Sequence, residues 1–231
     1  MKTCPNKRSA QSGFTLVEIA IVLVIIGLLL GGILKGQEMI TNAKIKNVIN
    51  DFNGVTAAVN SYQDRYRALP GDELSATTIT RWGAAAFGGD ANGVLCTGAC
   101  AFAPPGYNTA PAAPAALGPE VGLFWLHLRL AGFVPGPTVG IASTAQPNNT
   151  AGGIIGVQTT GMGFLSNIMC SSNLPDKIAI SVDTQMDDAV AATGQVRGQL
   201  QGGPNPAAAA TAPASPYAET GANQYLVCKT L

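Results

Sequence analysis

From Phe14 to Leu34 the chain runs for 21 residues with a single charge, Glu18. A helix needs about 20 apolar residues to cross a bilayer, so this stretch is long enough to span one. It therefore constrains the fold before any other feature does. A lone acid near the start of such a span is costly and calls for a partner, which makes Glu18 a candidate functional residue. The flanks are informative as well. Upstream lies a polar leader, Met1 to Gly13, with Lys2, Lys7 and Arg8 and no acid. Then come the junction Gly13-Phe14 and the run Thr15-Leu16-Val17-Glu18. A secretory signal peptide is cut after its apolar core, whereas the signal-like junction here precedes it. An ordinary signal-anchor helix is the plainer reading of the same span.

The junction, the near-terminal acid, the apolar run and the basic leader together resemble the processing signature of type IV prepilins and type II secretion pseudopilins. The resemblance implies cleavage between Gly13 and Phe14 by a prepilin peptidase on the cytoplasmic side, and N-methylation of the new Phe14 amine by that peptidase/N-methyltransferase. It also implies that Glu18 pairs with the terminal amine of another subunit during assembly. The expected partners are a filament of like or related subunits, an inner-membrane assembly platform, and membrane lipid before assembly. The implied fold is α+β and pilin-like: one long amino-terminal helix packed on a small antiparallel sheet with loop-rich insertions.

The segments expected from this reading are four. Residues 1–13 form a cleaved leader, 14–34 a membrane or filament-core half of the helix, 35–67 its amphipathic half, and 68–231 a periplasmic or extracellular body. No proline interrupts Lys35 to Arg67, and Ile45, Val48, Ile49, Phe52, Val55, Val59 and Tyr62 recur at helical spacing. One helix from Phe14 to about Arg67 would have about 54 residues and run roughly 80 Å at 1.5 Å per residue. Gly27, Gly31, Gly32 and Gly36 allow close helix approach or simply reflect the glycine content of membrane helices. The proline that many family members carry in this half is absent.

Charge excludes one class of partner. The chain has 13 basic and 13 acidic residues; losing the three basic residues of the leader leaves ten against 13. No basic run marks a nucleic-acid surface, and none is expected to bind. The leader's charge favours retention in the cytoplasm, which places the body in the periplasm. The expected location is the bacterial inner membrane as a single-pass precursor, then an extracellular pilus or a periplasmic pseudopilus.

Of five cysteines, Cys4 leaves with the leader and four remain. An even count outside the cytoplasm suggests two disulfides. Three pairings exist, and Cys96–Cys100 with Cys170–Cys228 is favoured: the first closes a tight loop, and the second fastens the last segment to the body. The resemblance points the same way, since many pilins staple their final segment.

Within the body, Leu69-Pro70-Gly71-Asp72 should end the long helix, with Tyr62, Tyr66 and Leu69 clamping the corner. Residues 73–112 read as a loop-rich excursion. Asp90 and Asn92 alternate as ligands do in calcium loops, but too few oxygens follow, so a glycine-rich turn is preferred. Pro119 to Leu130 has a clear helix pattern closed by Gly132. His127, the only histidine, reads as a packing or surface residue. Strands are expected near Ile154–Thr159, Phe164–Met169 and Tyr225–Lys229. The segment after Pro175 reads as a short helix, with a strand nearly as good on pattern. Asp183, Asp187 and Asp188 suit a cation or turn capping equally, and residues 201–216 read as a flexible insertion.

No nucleophile–base–acid set stands out, so no enzyme activity and no cofactor are expected. The expected function is that of a major or minor pilin in a type IV pilus-like filament (fimbrium), with cell adhesion open through loops 73–112 or 133–160. The alternative is a pseudopilin of type II protein secretion.

Overall fold

The computed structural model describes residues 16–95, 106–115 and 118–231. The chain divides between Asn42 and Ala43, within helix α1, Leu16–Tyr66, which is continuous over 51 residues. In the amino-terminal unit, every large apolar side chain from Leu16 to Leu34 is 46–87% exposed. Glu18 is the one charge within that stretch, and just beyond it Lys35 and Glu38 pair one turn apart at 2.7 Å.

In the body, α1 becomes amphipathic. Ile45, Val48, Phe52, Val55, Val59 and Tyr62 are buried, at the three- and four-residue intervals that put them on one face. This face joins a core with helices α3 (Glu120–Leu130) and α4 (Asp176–Met186) and one face of a four-stranded antiparallel sheet. The strands are β1 (Ile155–Gly161), β2 (Phe164–Pro175), β3 (Val196–Leu200) and β4 (Gln224–Thr230), in spatial order β1-β2-β4-β3. The last strand is therefore a central one, hydrogen-bonded on both sides. The α+β arrangement matches that expected from the sequence.

Helix α1 ends at Tyr66, one residue before the expected limit, because Arg67 takes φ +56°. Three elements were not anticipated, one of them a single-turn 3₁₀ helix at Ile141–Thr144. Helix α2, Ser75–Trp82, lies in the segment read as loop; SATTITRW is rich in β-branched residues with modest helix propensity. Strand β3 has the sequence VRGQL, too short and too polar to announce itself. Pro175 closes β2 and caps α4, which decides the helix reading of the residues after it.

The opposite face of the sheet is covered too. Tyr107, Met162, Phe164, Ile168, Cys170, Leu226 and Cys228 form a second buried cluster with Ala208 packed on it. The Pro/Ala segment read as a flexible insertion supplies this cover. Met162 N donates to Ala209 O, Tyr107 Oη to Pro206 O, and Asn108 Nδ2 to Asn205 O. Its backbone polar groups find partners on the sheet and on residues 107–108, which is why a low-complexity stretch is ordered in place.

Candidate functional site

Glu18 lies in the first turn of α1, where a carboxylate suits the positive end of the helix dipole. Thirteen of the next sixteen residues, to Leu34, are Ile, Val, Leu or Ala, and the other three are glycine. The 18-residue window that makes this helix a candidate membrane span has mean hydropathy 2.8, and none of it is buried among the described residues. Gly13 and Phe14, the expected processing site, lie outside the described residues, as do Cys96 and Cys100.

The other candidate residues are in the body, and most of them are structural. At the corner after α1, Tyr62, Tyr66 and Trp82 of α2 pack ring against ring, Tyr62 tilted to both of the others and Tyr66 edge-on to Trp82. Glu73, buried beneath them, accepts from Arg81 Nη1 and Nη2 at 2.8 and 2.7 Å and from Tyr62 Oη at 2.8 Å. Burial works to raise the Glu73 carboxyl, but the Arg81 and Tyr62 hydrogen bonds outweigh it and hold it below the ordinary glutamate range. His127 is fully buried, which removes the surface reading and leaves packing. Its Nδ1 accepts from Gly71 N at 2.9 Å, so Nε2 carries the proton and donates to Phe87 O at 2.8 Å. Burial pushes its pKa down to about 4. With both ring nitrogens committed to backbone groups, the ring bolts the Pro70-Gly71 turn to the Phe87 loop. Gly71, at φ +88°, admits no side chain, since a Cβ would stand 2.5 Å from Glu120 O.

Asp90 and Asn92 form the expected turn. Asp90 Oδ1 accepts from Asn92 N, and Asn92 Oδ1 from Val94 N. The carboxylates of Asp72, Asp90 and Glu120 converge within 4.8 Å. Asp72 meanwhile accepts from Asn92 N and Gly93 N, and Glu120 from Asp90 N. These oxygens are thus engaged in holding the loop's backbone. Sequence reasoning passed over Asp72 and Glu120, whose burial depends on the tertiary fold.

The second acidic group, Asp183, Asp187 and Asp188, works similarly. Asp183 accepts from Tyr217 Oη and Ala189 N, Asp188 from Val190 N and Thr193 Oγ1. Asp187 accepts from Gln195 N and Val196 N, setting the start of β3. Of the two readings of these acids, turn capping is the one their hydrogen bonds fit. Arg129, also missed, sends its buried guanidinium to Ser143 O and Ala145 O. At the sheet, β2 and β4 stand in a register that sets Cys170 opposite Cys228, and the two form a disulfide. The favoured pairing of the final segment is thereby found.

A family model for the prokaryotic N-terminal methylation motif matches residues 8–34. The chain carries the type IV pilin and pseudopilin signature. The match spans the junction, Glu18 and the apolar turns, and it ends before the body begins. No curated protein matches the chain, and no solved structure does.

Proposed function

We propose that this chain is a structural subunit, a major or minor pilin, of a type IV pilus-like filament. The observation that carries the reading is the methylation motif lying on a helix whose apolar side chains, from Leu16 to Leu34, find no cover among the described residues. Such a surface needs lipid before assembly and other subunits after it. Prepilin peptidase cuts between Gly13 and Phe14 and methylates Phe14. The precursor then waits as a single-pass inner-membrane protein, residues 14–34 in the bilayer and the body in the periplasm, until the assembly platform extracts it. In the filament, Glu18 would be buried among apolar helices. A buried carboxylate is stable only with a matched charge, and the Phe14 amine of a neighbouring subunit supplies one, setting register between subunits.

A type II secretion pseudopilus would use the same amino-terminal segment. The long body, with its last strand fastened by Cys170–Cys228, favours the pilus. The protein works by assembly, and the committed nitrogens of His127 support a structural reading of the body.

Expression in a pilus-competent host tests this. The mature chain is expected in sheared surface filaments. Glu18→Ala should be cleaved normally yet fall at least about tenfold in the filament fraction. Absence of the wild-type chain from sheared filaments would refute the pilus assignment, and normal incorporation of the variant would remove the role given to Glu18.

A further inference from the structure

The chain holds two Asn-Gly dipeptides, Asn53-Gly54 and Asn92-Gly93, and both asparagines are exposed. In such a pair the glycine nitrogen has no side chain to shield it, and the asparagine side-chain carbon Cγ is within its reach. The fold treats the two pairs differently. Asn53-Gly54 lies inside α1. There the Gly54 N–H enters the i→i−4 ladder, and the Asn53 side chain tilts toward the helix start, away from Gly54 N.

At Asn92-Gly93 the fold instead sets two groups on the atoms that would react. The Gly93 N–H donates to Asp72 Oδ2 at 2.8 Å, and the Asn92 N–H donates to Asp72 Oδ1 at 3.0 Å. Asp72 comes from the turn after α1 and is only 4% exposed, so a buried carboxylate is fixed on the nitrogen that would attack. On the other side, Asn92 Oδ1 accepts from the Val94 N–H at 2.8 Å, a donor placed where negative charge would develop. A base on the nucleophile's proton and a donor on the carbonyl oxygen are the two aids that attack on an amide carbon needs. Burial pushes the Asp72 carboxyl above the ordinary aspartate range, which strengthens it as a base.

We propose that Asn92-Gly93 is a self-modifying site, with the Asp72 carboxylate as its general base. Asp72 Oδ2 takes the Gly93 N–H proton, and the nitrogen attacks Asn92 Cγ. The new N–Cγ bond closes a succinimide ring. The bond from Cγ to the side-chain nitrogen breaks, and that nitrogen leaves as ammonia with the proton returned by Asp72. Solvent water then opens the ring at either carbonyl and leaves aspartate or isoaspartate at position 92. The change is one-way. Aspartate adds a charge beside Asp72 and Asp90, whose oxygens both hold Asn92 N, and isoaspartate lengthens the backbone there by one carbon. Either product loosens the loop that Asp72 holds. The proposal is independent of filament assembly.

Asn53-Gly54 is the internal control. The full chain is incubated folded in non-ionic micelles and, in parallel, unfolded in guanidinium chloride, and its peptides are mapped by mass spectrometry. Succinimide is lighter than asparagine by one ammonia, and fragmentation separates aspartate from isoaspartate. In the unfolded chain the two dipeptides should convert at comparable rates. In the folded chain Asn92 should convert at least about tenfold faster than in the unfolded one, and Asn53 at least about tenfold more slowly. From about pH 6 to about pH 8 the unfolded rate, which depends on hydroxide, should rise at least about tenfold, and the folded Asn92 rate by less than about threefold. Asp72→Asn removes the base. Whether that variant keeps the loop or loosens it, Asn92 should convert at least about tenfold more slowly than in wild type near neutral pH. Four results would each overturn the proposal: folded Asn92 no faster than unfolded Asn92, equal conversion of Asn53 and Asn92 in the folded chain, a folded pH dependence as steep as the unfolded one, or an unchanged rate in Asp72→Asn.

Discussion

Mild acid should loosen the body's corner through one residue. His127 binds its proton in the folded chain only near pH 4, against an ordinary value of 6.5. Its folded-state pKa is depressed because the site is buried and Nδ1 already faces the Gly71 N–H. The folded chain thus excludes a proton that the unfolded chain accepts. The stabilising contribution is complete above about pH 7 and is lost as pH falls from 6.5 towards 4. A difference of about 2.5 pH units at 1.36 kcal/mol each gives roughly 3 kcal/mol. Glu73 adds loss of the same sign, because its carboxyl is held below the ordinary range, so wild-type stability alone does not isolate the histidine. His127→Gln does: an amide retains one acceptor and one donor but does not titrate. Urea unfolding of the full chain in non-ionic micelles can be followed by the fluorescence of Trp82, whose ring lies 5.8 Å from His127. The stability gap between wild type and His127→Gln should change by about 3 kcal/mol between pH 7.5 and pH 4, with wild type losing more. Because His127 is the only histidine, its ring resonance reports the folded-state pKa directly by NMR. Parallel stability curves within about 0.5 kcal/mol, or a folded-state midpoint near 6.5, would refute the reasoning.

Two further substitutions probe the body. Arg81→Met removes the only ion pair that Glu73 makes among the described residues and leaves a buried carboxylate held by Tyr62 alone, so unfolding free energy should fall by about 1–3 kcal/mol; a loss below about 0.5 kcal/mol would show that the pair is incidental. Cys170→Ala with Cys228→Ala opens a link across a sequence separation of 58 residues, worth roughly 4 kcal/mol by chain entropy and less where the reduced chain keeps structure; the unfolding midpoint in urea should drop accordingly, with an unchanged midpoint contradicting the account.

What was legible in the sequence follows from physical range. The body half of α1 was readable because Ile45 to Tyr62 repeat with the helical period, and helix period is a local property. Helix α3 was readable from its ends, Pro119-Glu120 in the first turn and Gly132 just past the last, around an apolar run. The disulfide was anticipated from cysteine count and compartment, although the register that puts Cys170 against Cys228 is set by β4 inserting between β2 and β3. Helix α2 and strand β3 escaped because neither holds its shape by propensity. Thr78 is the one buried residue of α2, and the start of β3 is fixed by the Asp187 carboxylate on Gln195 N and Val196 N. The Pro/Ala segment looked flexible because nothing local orders it; the sheet face beneath it does. Nothing in the local pattern singled out Asp72, Glu73, Glu120 and Arg129, which the fold buries. Near the amino terminus the position reverses. There the junction, Glu18 and the apolar run form a local pattern that sequence alone displays.

Co-expressing the chain with its prepilin peptidase and measuring the intact mass and amino-terminal peptide of the membrane-extracted product bears most directly on the function proposed. The expected product begins at Phe14, carries one methyl group on its α-amine, and lacks Met1 to Gly13. A terminus at Met1, or a cut downstream of the apolar run, would contradict the account.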